Sequence, residues 1–223
     1  AGDLNITQQT GDITGHVTGI GANNLGTGAI VVNVNGTVKA TGPAGSASGV
    51  GVFATSNNPA GGKVTLNQAL GTSISGTNWG VGLNQFGPQP IEFNAQGTII
   101  GGVGGGVYTA SANPPGSPVI FNAMSGANIS STGTDNIAIR DGGGQAQLTL
   151  FGGSTVNGHV RLGSNSDRML VKSGAVISTN TVIDGGSSFA GVDLITDTAN
   201  TNTNKLTFEQ TQVTRPGATL LNW

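Results

Sequence analysis

Apolar residues along this chain arrive in short bursts, and within each burst apolar and polar positions alternate. IVVNVNGTVKA (30–40), VTLNQALGTSISG (64–76) and IEFNAQGTIIGG (91–102) have the same layout. A burst of this length with period-two alternation predicts a strand of three to five residues that buries one face. No stretch between bursts has helical periodicity, which argues against a doubly wound α/β fold.

The bursts repeat. Aligned on one apolar position, Val32, Leu66, Phe93, Phe121, Leu150 and Leu170 are spaced by 34, 27, 28, 29 and 20 residues. Asn33, Asn67, Asn94 and Asn122 directly follow four of these anchors, and a glycine comes three to five residues after every anchor: Gly36, Gly71, Gly97, Gly126, Gly153 and Gly174. A second strand follows each glycine, as in Thr37-Val38-Lys39 and Ala175-Val176-Ile177. A third follows after a variable loop, as in Val50-Gly51-Val52-Phe53 and Val182-Ile183. Three short strands per repeat predict an all-β parallel β-helix, because a single coil cannot bury its own apolar face and stacked coils share a core. Six or seven coils at about 4.8 Å each make a rod of roughly 30 Å. The asparagines stack as a hydrogen-bonded ladder on one reading and mark strand ends on another. Phe93 and Phe121 are expected to stack inside. A β-sandwich is the rival fold, but its turns recur every 8–12 residues between antiparallel neighbours, and hairpin dipeptides are scarce here. Residues 1–28 fit the repeat least and are expected to cap the rod; residues 29–223 are expected to form one continuous run of coils.

Composition narrows the function classes. Charged residues make up 8% of the chain and the net charge is −2, without the clustered Lys and Arg that nucleic acid or an anionic membrane requires. Glycine accounts for 40 of 223 residues, well above the usual level of about 7%. The absence of cysteine removes disulfides, Cys-ligated zinc and thiol catalysis. No apolar run reaches the roughly 18 residues of a membrane helix. The opening AGDLNITQQT has no basic start and no apolar core, so an exported protein would carry this chain in mature form. Charge is unevenly spread: residues 1–134 carry only Asp3, Asp12, Lys39, Lys63 and Glu92, and the other thirteen charges follow.

The second half carries a resemblance. Asp167-Met169-Leu170, Ser173-Gly174, Gly185-Gly186 and Asp193-Leu194-Ile195, with the closing Leu206-Thr207-Phe208-Glu209, resemble the repeats of autotransporter passenger domains of the pertactin-like group. The likeness covers residues 147–223, and residues 30–146 share only the repeat layout. It implies a right-handed parallel β-helix, type V secretion across a Gram-negative outer membrane, a C-terminal β-barrel translocator in the full-length protein, and secretion or display at the cell surface. The ending ATLLNW reads as the middle of a coil, so further coils are expected.

Chemistry is sparse. GSASG (45–49) places Ala47 where a nucleophile elbow needs serine. His16 and His159 are the only histidines for a Ser–His–Asp triad, and His159 is expected to face solvent. Polysaccharide-acting enzymes on β-helices use clustered carboxylates and basic groups; the candidates are Asp135, Asp141, Asp167, Asp184, Arg140, Arg161, Arg168 and Lys172. Asp141 and Asp184 are expected to neighbour one another along the rod, although an Asp before glycine is ordinarily a turn former. Asp167, Arg168 and Asp184 are expected to serve solubility and turns. GGVGGG (101–106) lacks the Asp of a calcium-binding nonapeptide. No cofactor or metal is expected. The leading expectation is therefore a non-enzymatic virulence factor or adhesin that binds a host cell-surface or matrix protein or glycan. The inserts 41–49, 55–62 and 101–118 are the expected contacts, with Tyr108, Pro114 and Pro115 as candidate binding residues. A secreted ligand or toxin for a host receptor and a polysaccharide-acting enzyme are the alternatives.

Overall fold

Short alternating strands joined by glycine corners leave one solution for the apolar faces, which is to coil inward and stack. The computed structural model describes residues 2–44, 48–111, 117–163, 167–178, 181–185, 205–208 and 219–221. The first coil contains β1 (Leu4–Gln8), β2 (Asp12–Gly15) and β3 (Thr18–Asn24), and the second β4 (Ile30–Val34), β5 (Thr37–Ala40) and β6 (Val50–Ser56). The third and fourth are β7 (Val64–Gln68), β8 (Ser73–Gly76) and β9 (Trp79–Gln85), then β10 (Ile91–Ala95), β11 (Thr98–Gly101) and β12 (Gly105–Ser111). The fifth and sixth are β13 (Pro118–Ala123), β14 (Asn128–Ser131) and β15 (Ile137–Asp141), then β16 (Gln145–Leu150), β17 (Thr155–Asn157) and β18 (His159–Arg161). The seventh has β19 (Arg168–Val171), β20 (Val176–Ile177) and β21 (Val182–Asp184), followed by β22 (Lys205–Phe208) and β23 (Thr219–Leu221). Up to β22, strands three apart in sequence pair in parallel, and β23 pairs with β21, giving sheets of 8, 7 and 8 strands. The fold is a right-handed three-stranded parallel β-helix, the hand that parallel crossovers adopt. Residues 1–28, the expected cap, carry a complete coil whose strands pair with those of the second.

The core is a set of columns running along the rod. One column stacks Ile6, Val32, Leu66, Phe93, Phe121, Leu148 and Met169. A second stacks Ile13, Val38, Ile74, Ile99, Ile129, Val156 and Ile177. A third stacks Ile20, Val52, Val81, Val107, Ile139, Val160 and Ile183. Phe93 and Phe121 stack with ring centroids 4.7 Å apart and planes 15° apart. Two expected anchors are displaced. Leu148, not Leu150, pairs with Phe121, and Met169, not Leu170, continues the column. A two-residue slip keeps Leu150 facing inward, so alternation alone does not reveal it; the continuous apolar run Met169-Leu170-Val171 hides which face Leu170 takes.

The asparagines form the ladder. Asn67 Nδ2 donates to Asn33 Oδ1 (2.9 Å), Asn94 to Asn67 (3.0 Å) and Asn122 to Asn94 (2.9 Å), and Asn33 donates to Thr7 Oγ1 (3.2 Å) at the end of the row. Of the corner glycines, Gly174 has φ +81°, and a Cβ on Gly97 would lie 2.4 Å from the Thr72 carbonyl oxygen. Left-handed backbone at one corner and close approach at another make glycine the fitting residue at both.

Candidate glycan-binding groove

Alternation along the third-sheet strands points every second side chain outward. In register, one outward row reads Gly21, Phe53, Gly82, Tyr108, Arg140, Arg161 and Asp184. Gly82 is the gap in that row. Above and below it Tyr108 and Phe53 leave a groove of about 350 Å³, lined also by Val50, Trp79, Asn84 and Arg140. The Trp79 and Tyr108 rings lie 5.2 Å apart, tilted by 40°. Phe53, Trp79, Asn84 and Tyr108 are half-buried, and Arg140 is exposed.

The backbone beneath Trp79 explains the glycine run at 101–106. Gly105 pairs with Trp79, and a Cβ on Gly104 would lie 2.5 Å from the indole Cε2 and Nε1, while one on Gly105 would lie 2.7 Å from Cζ3. The indole thus rests on bare backbone, which a side chain at either position would displace. Likewise, a Cβ on Gly142 would lie 2.7 Å from the Tyr108 hydroxyl, so the tyrosine tip occupies the space over the following coil. Asn84 lines the groove, and its Oδ1 is buried without a hydrogen-bond partner. Apolar ring faces beside a few polar groups are the usual make-up of a small-ligand site.

The third strand expected at Val107-Tyr108-Thr109 is present as β12, so Tyr108, also a candidate contact of the 101–118 insert, is held on a strand in the middle of that segment. Pro114 and Pro115 lie outside the described residues. Phe53, Trp79, Gly82 and Asn84 escaped the sequence reading, because their convergence depends on register between coils. The signal available was the outward position of Phe53 and Tyr108 within otherwise inward-reading third strands.

The carboxylates divide differently from expectation. Asp141 and Asp184 are not neighbours: Asp184 lies in the outward row, whereas Asp141 continues the inward column Ala22, Ala54, Leu83, Thr109. Asp167 is not a solvent-facing turn residue. It extends the inward column Ile30, Val64, Ile91, Val119, Ala146 by one place and is fully buried, while Asp141 is 5% exposed. Thr109 Oγ1 donates to Asp141 Oδ1 (2.7 Å), and the Ala146 amide donates to Asp167 Oδ1 (2.7 Å). Burial pushes Asp141 up to about 7, partly offset by Thr109 and the Gly143 amide. Burial pushes Asp167 up to about 8; the Ala146 amide opposes this and the Asp141 charge adds to it. The pair is closed off from solvent, so it does not form an open acid–base site of the kind a polysaccharide needs.

The remaining candidates are dispersed. His159, expected to face solvent, accepts the Val182 amide at Nδ1 (2.9 Å). Burial, and secondarily Arg161, lowers its pKa, with Asp135 opposing. His16 is exposed five coils away, before β3. Asp135 and Arg168 are exposed, and Lys172 Nζ lies 5.3 Å from the Phe151 ring centroid. Lys63 and Glu92 form an ion pair on the first sheet; the Lys63 hydrogen bond, then that of Asn94, holds the Glu92 carboxyl below its ordinary range. No group of three or more metal-ligating His, Cys, Asp or Glu occurs among the described residues, and no described helix is long and apolar enough to cross a membrane. Comparisons with protein-family models, with curated proteins and with solved structures find no match for this chain.

Proposed function

We propose that the chain is a glycan-binding module on a β-helical rod, displayed or secreted as an autotransporter passenger. The observation that carries the binding reading is the tilted Trp79–Tyr108 pair beside the gap at Gly82, with Phe53 on the far side. The C–H face of a pyranose is weakly positive and packs against the negative face of an aromatic ring, while its hydroxyls need polar side chains, which Asn84 and Arg140 supply along the groove. Half-buried aromatic walls beside two polar side chains suit that amphipathic shape better than a purely apolar ligand. The passenger reading rests on the resemblance of residues 147–223 and on the β-helix itself. It carries with it a virulence or adhesin role, a host-surface or matrix partner and a C-terminal β-barrel outside this sequence.

The test is titration of the 223-residue chain with oligosaccharides, with Tyr108→Ala and Gly82→Val as variants. Removing the tyrosine ring is expected to weaken binding about tenfold, as loss of a contact aromatic usually does. Valine at Gly82 is expected to block the gap, since its Cβ already lies 3.0 Å from Phe53 Cδ2. Binding unchanged in both variants would sink the groove assignment.

A further inference from the structure

The same outward row continues past the groove into two arginines. Tyr108 pairs with Arg140, and Arg140 pairs with Arg161, so the two cations occupy consecutive coils, about 4.8 Å apart along the rod. Both are exposed, and neither has a carboxylate within ion-pairing distance among the described residues. Like charges directly opposite one another on adjacent strands are destabilising. Asp141, the neighbour of Arg140 in sequence, is no remedy, because alternation turns it into the core, whereas Asp184 stands opposite Arg161 on the next coil and leaves Arg140 the less compensated cation. Arg140 lines the groove itself, one coil beyond Tyr108.

Resting on the glycan reading above, we infer that the groove takes an acidic glycan. One sugar ring stacks at Trp79 and Tyr108, and a carboxylate or sulfate on it or on the next sugar is held by Arg140, with Arg161 one coil further on. A guanidinium presents paired N–H donors that match the two oxygens of such a group, and a bound anion relieves the repulsion between the two arginines. The row thereby separates two roles: aromatic faces fix the ring, and the cations select for its charge.

Three probes test this against the 223-residue chain by calorimetric titration: a neutral hexose oligomer, an oligouronate of the same length, and a sulfated oligomer of the same neutral sugar. Binding of at least one anionic probe about tenfold tighter than the neutral one is expected, with the advantage shrinking as salt is raised. Whichever anionic probe binds tighter identifies carboxylate or sulfate as the recognised group. Arg140→Ala is expected to remove most of the anionic advantage, read as the ratio of anionic to neutral affinity within the same variant, and Arg161→Ala to remove less. Because both arginines are exposed, these variants are expected to keep the wild-type circular dichroism and a melting temperature no lower than that of the wild type. Neutral and anionic probes bound equally, or an advantage untouched by Arg140→Ala, overturns the acidic-glycan inference and leaves the glycan reading standing. No binding of any probe overturns both.

Discussion

The two carboxyls in the core columns make this fold lose stability as the solution turns alkaline. In the folded chain Asp141 titrates at about 7 and Asp167 at about 8, against an ordinary value of 3.8. A raised folded value means that the stabilising difference is fully present below pH 3.8 and is lost as pH rises through 7 and 8. Between pH 6.5 and 8 the unfolded chain has both groups ionised, while the folded chain still binds protons on each. Integrating that difference at about 1.4 kcal/mol per proton per pH unit gives a loss of about 2 kcal/mol, most of it from Asp167. Two other shifted groups act outside this window. The depressed His159 adds stability with rising pH only up to its unfolded value of 6.5, and the depressed Glu92 contribution is lost only as pH falls below 4.5. The assay is urea unfolding followed by circular dichroism at pH 6.5, 7.2 and 8.0, for the wild type and for Asp141→Asn with Asp167→Asn. Asparagine keeps an acceptor for the Thr109 hydroxyl and the Ala146 amide but does not ionise, so the double variant is expected to have a flat profile over this range. Exchange of the Ala146 amide, which rests on Asp167, reports the same change locally. Wild-type stability that is flat or rises from pH 6.5 to 8, or an undiminished loss in the double variant, refutes the reasoning.

Other perturbations probe the remaining supports. Asn94→Ala removes the middle of the asparagine ladder, which both donates to Asn67 and accepts from Asn122; about 1–3 kcal/mol of stability is expected to go, read as a lower urea midpoint. Phe93→Ala empties a fully buried site and unstacks Phe121, at an expected cost of about 3–5 kcal/mol in the same measurement. Gly104→Ala places a methyl group against the Trp79 indole, so a changed tryptophan emission and weaker oligosaccharide binding are expected together; unchanged emission would contradict the close approach described for this pair.

The β-helix was legible because its determinants are local and repeated. Burst, glycine corner and second burst recur along the chain, and each inward column is built from residues whose neighbours in sequence already alternate. Register was less legible where alternation is degenerate: Leu148 and Leu150 face the same way, and Met169, Leu170 and Val171 offer no polar residue to mark the outer face. The groove was less legible still, since Phe53, Gly82 and Tyr108 are far apart in sequence and become neighbours only once three coils are in register. The buried acids were misread for a related reason. Asp141 precedes a run of glycines and Asp167 follows the polar sequence Ser164-Asn165-Ser166, the ordinary sequence setting of an exposed aspartate, and only the columns ending in Thr109 and Ala146 reveal that both point inward.

The gap at Gly82 has a consequence for how such a surface changes over time. Because outward and inward positions alternate, the row Phe53, Gly82, Tyr108, Arg140, Arg161 is nearly independent of the columns that hold the rod together. The row behaves like a tape with one symbol per coil at a pitch of about 4.8 Å. Substituting a symbol alters what is read without disturbing the core, and inserting or deleting a whole coil shifts the cations relative to the aromatic walls by one pitch. On the proposed glycan reading, ligand preference is therefore set by spacing along the axis as well as by residue type, and duplication of a single coil is expected to change it.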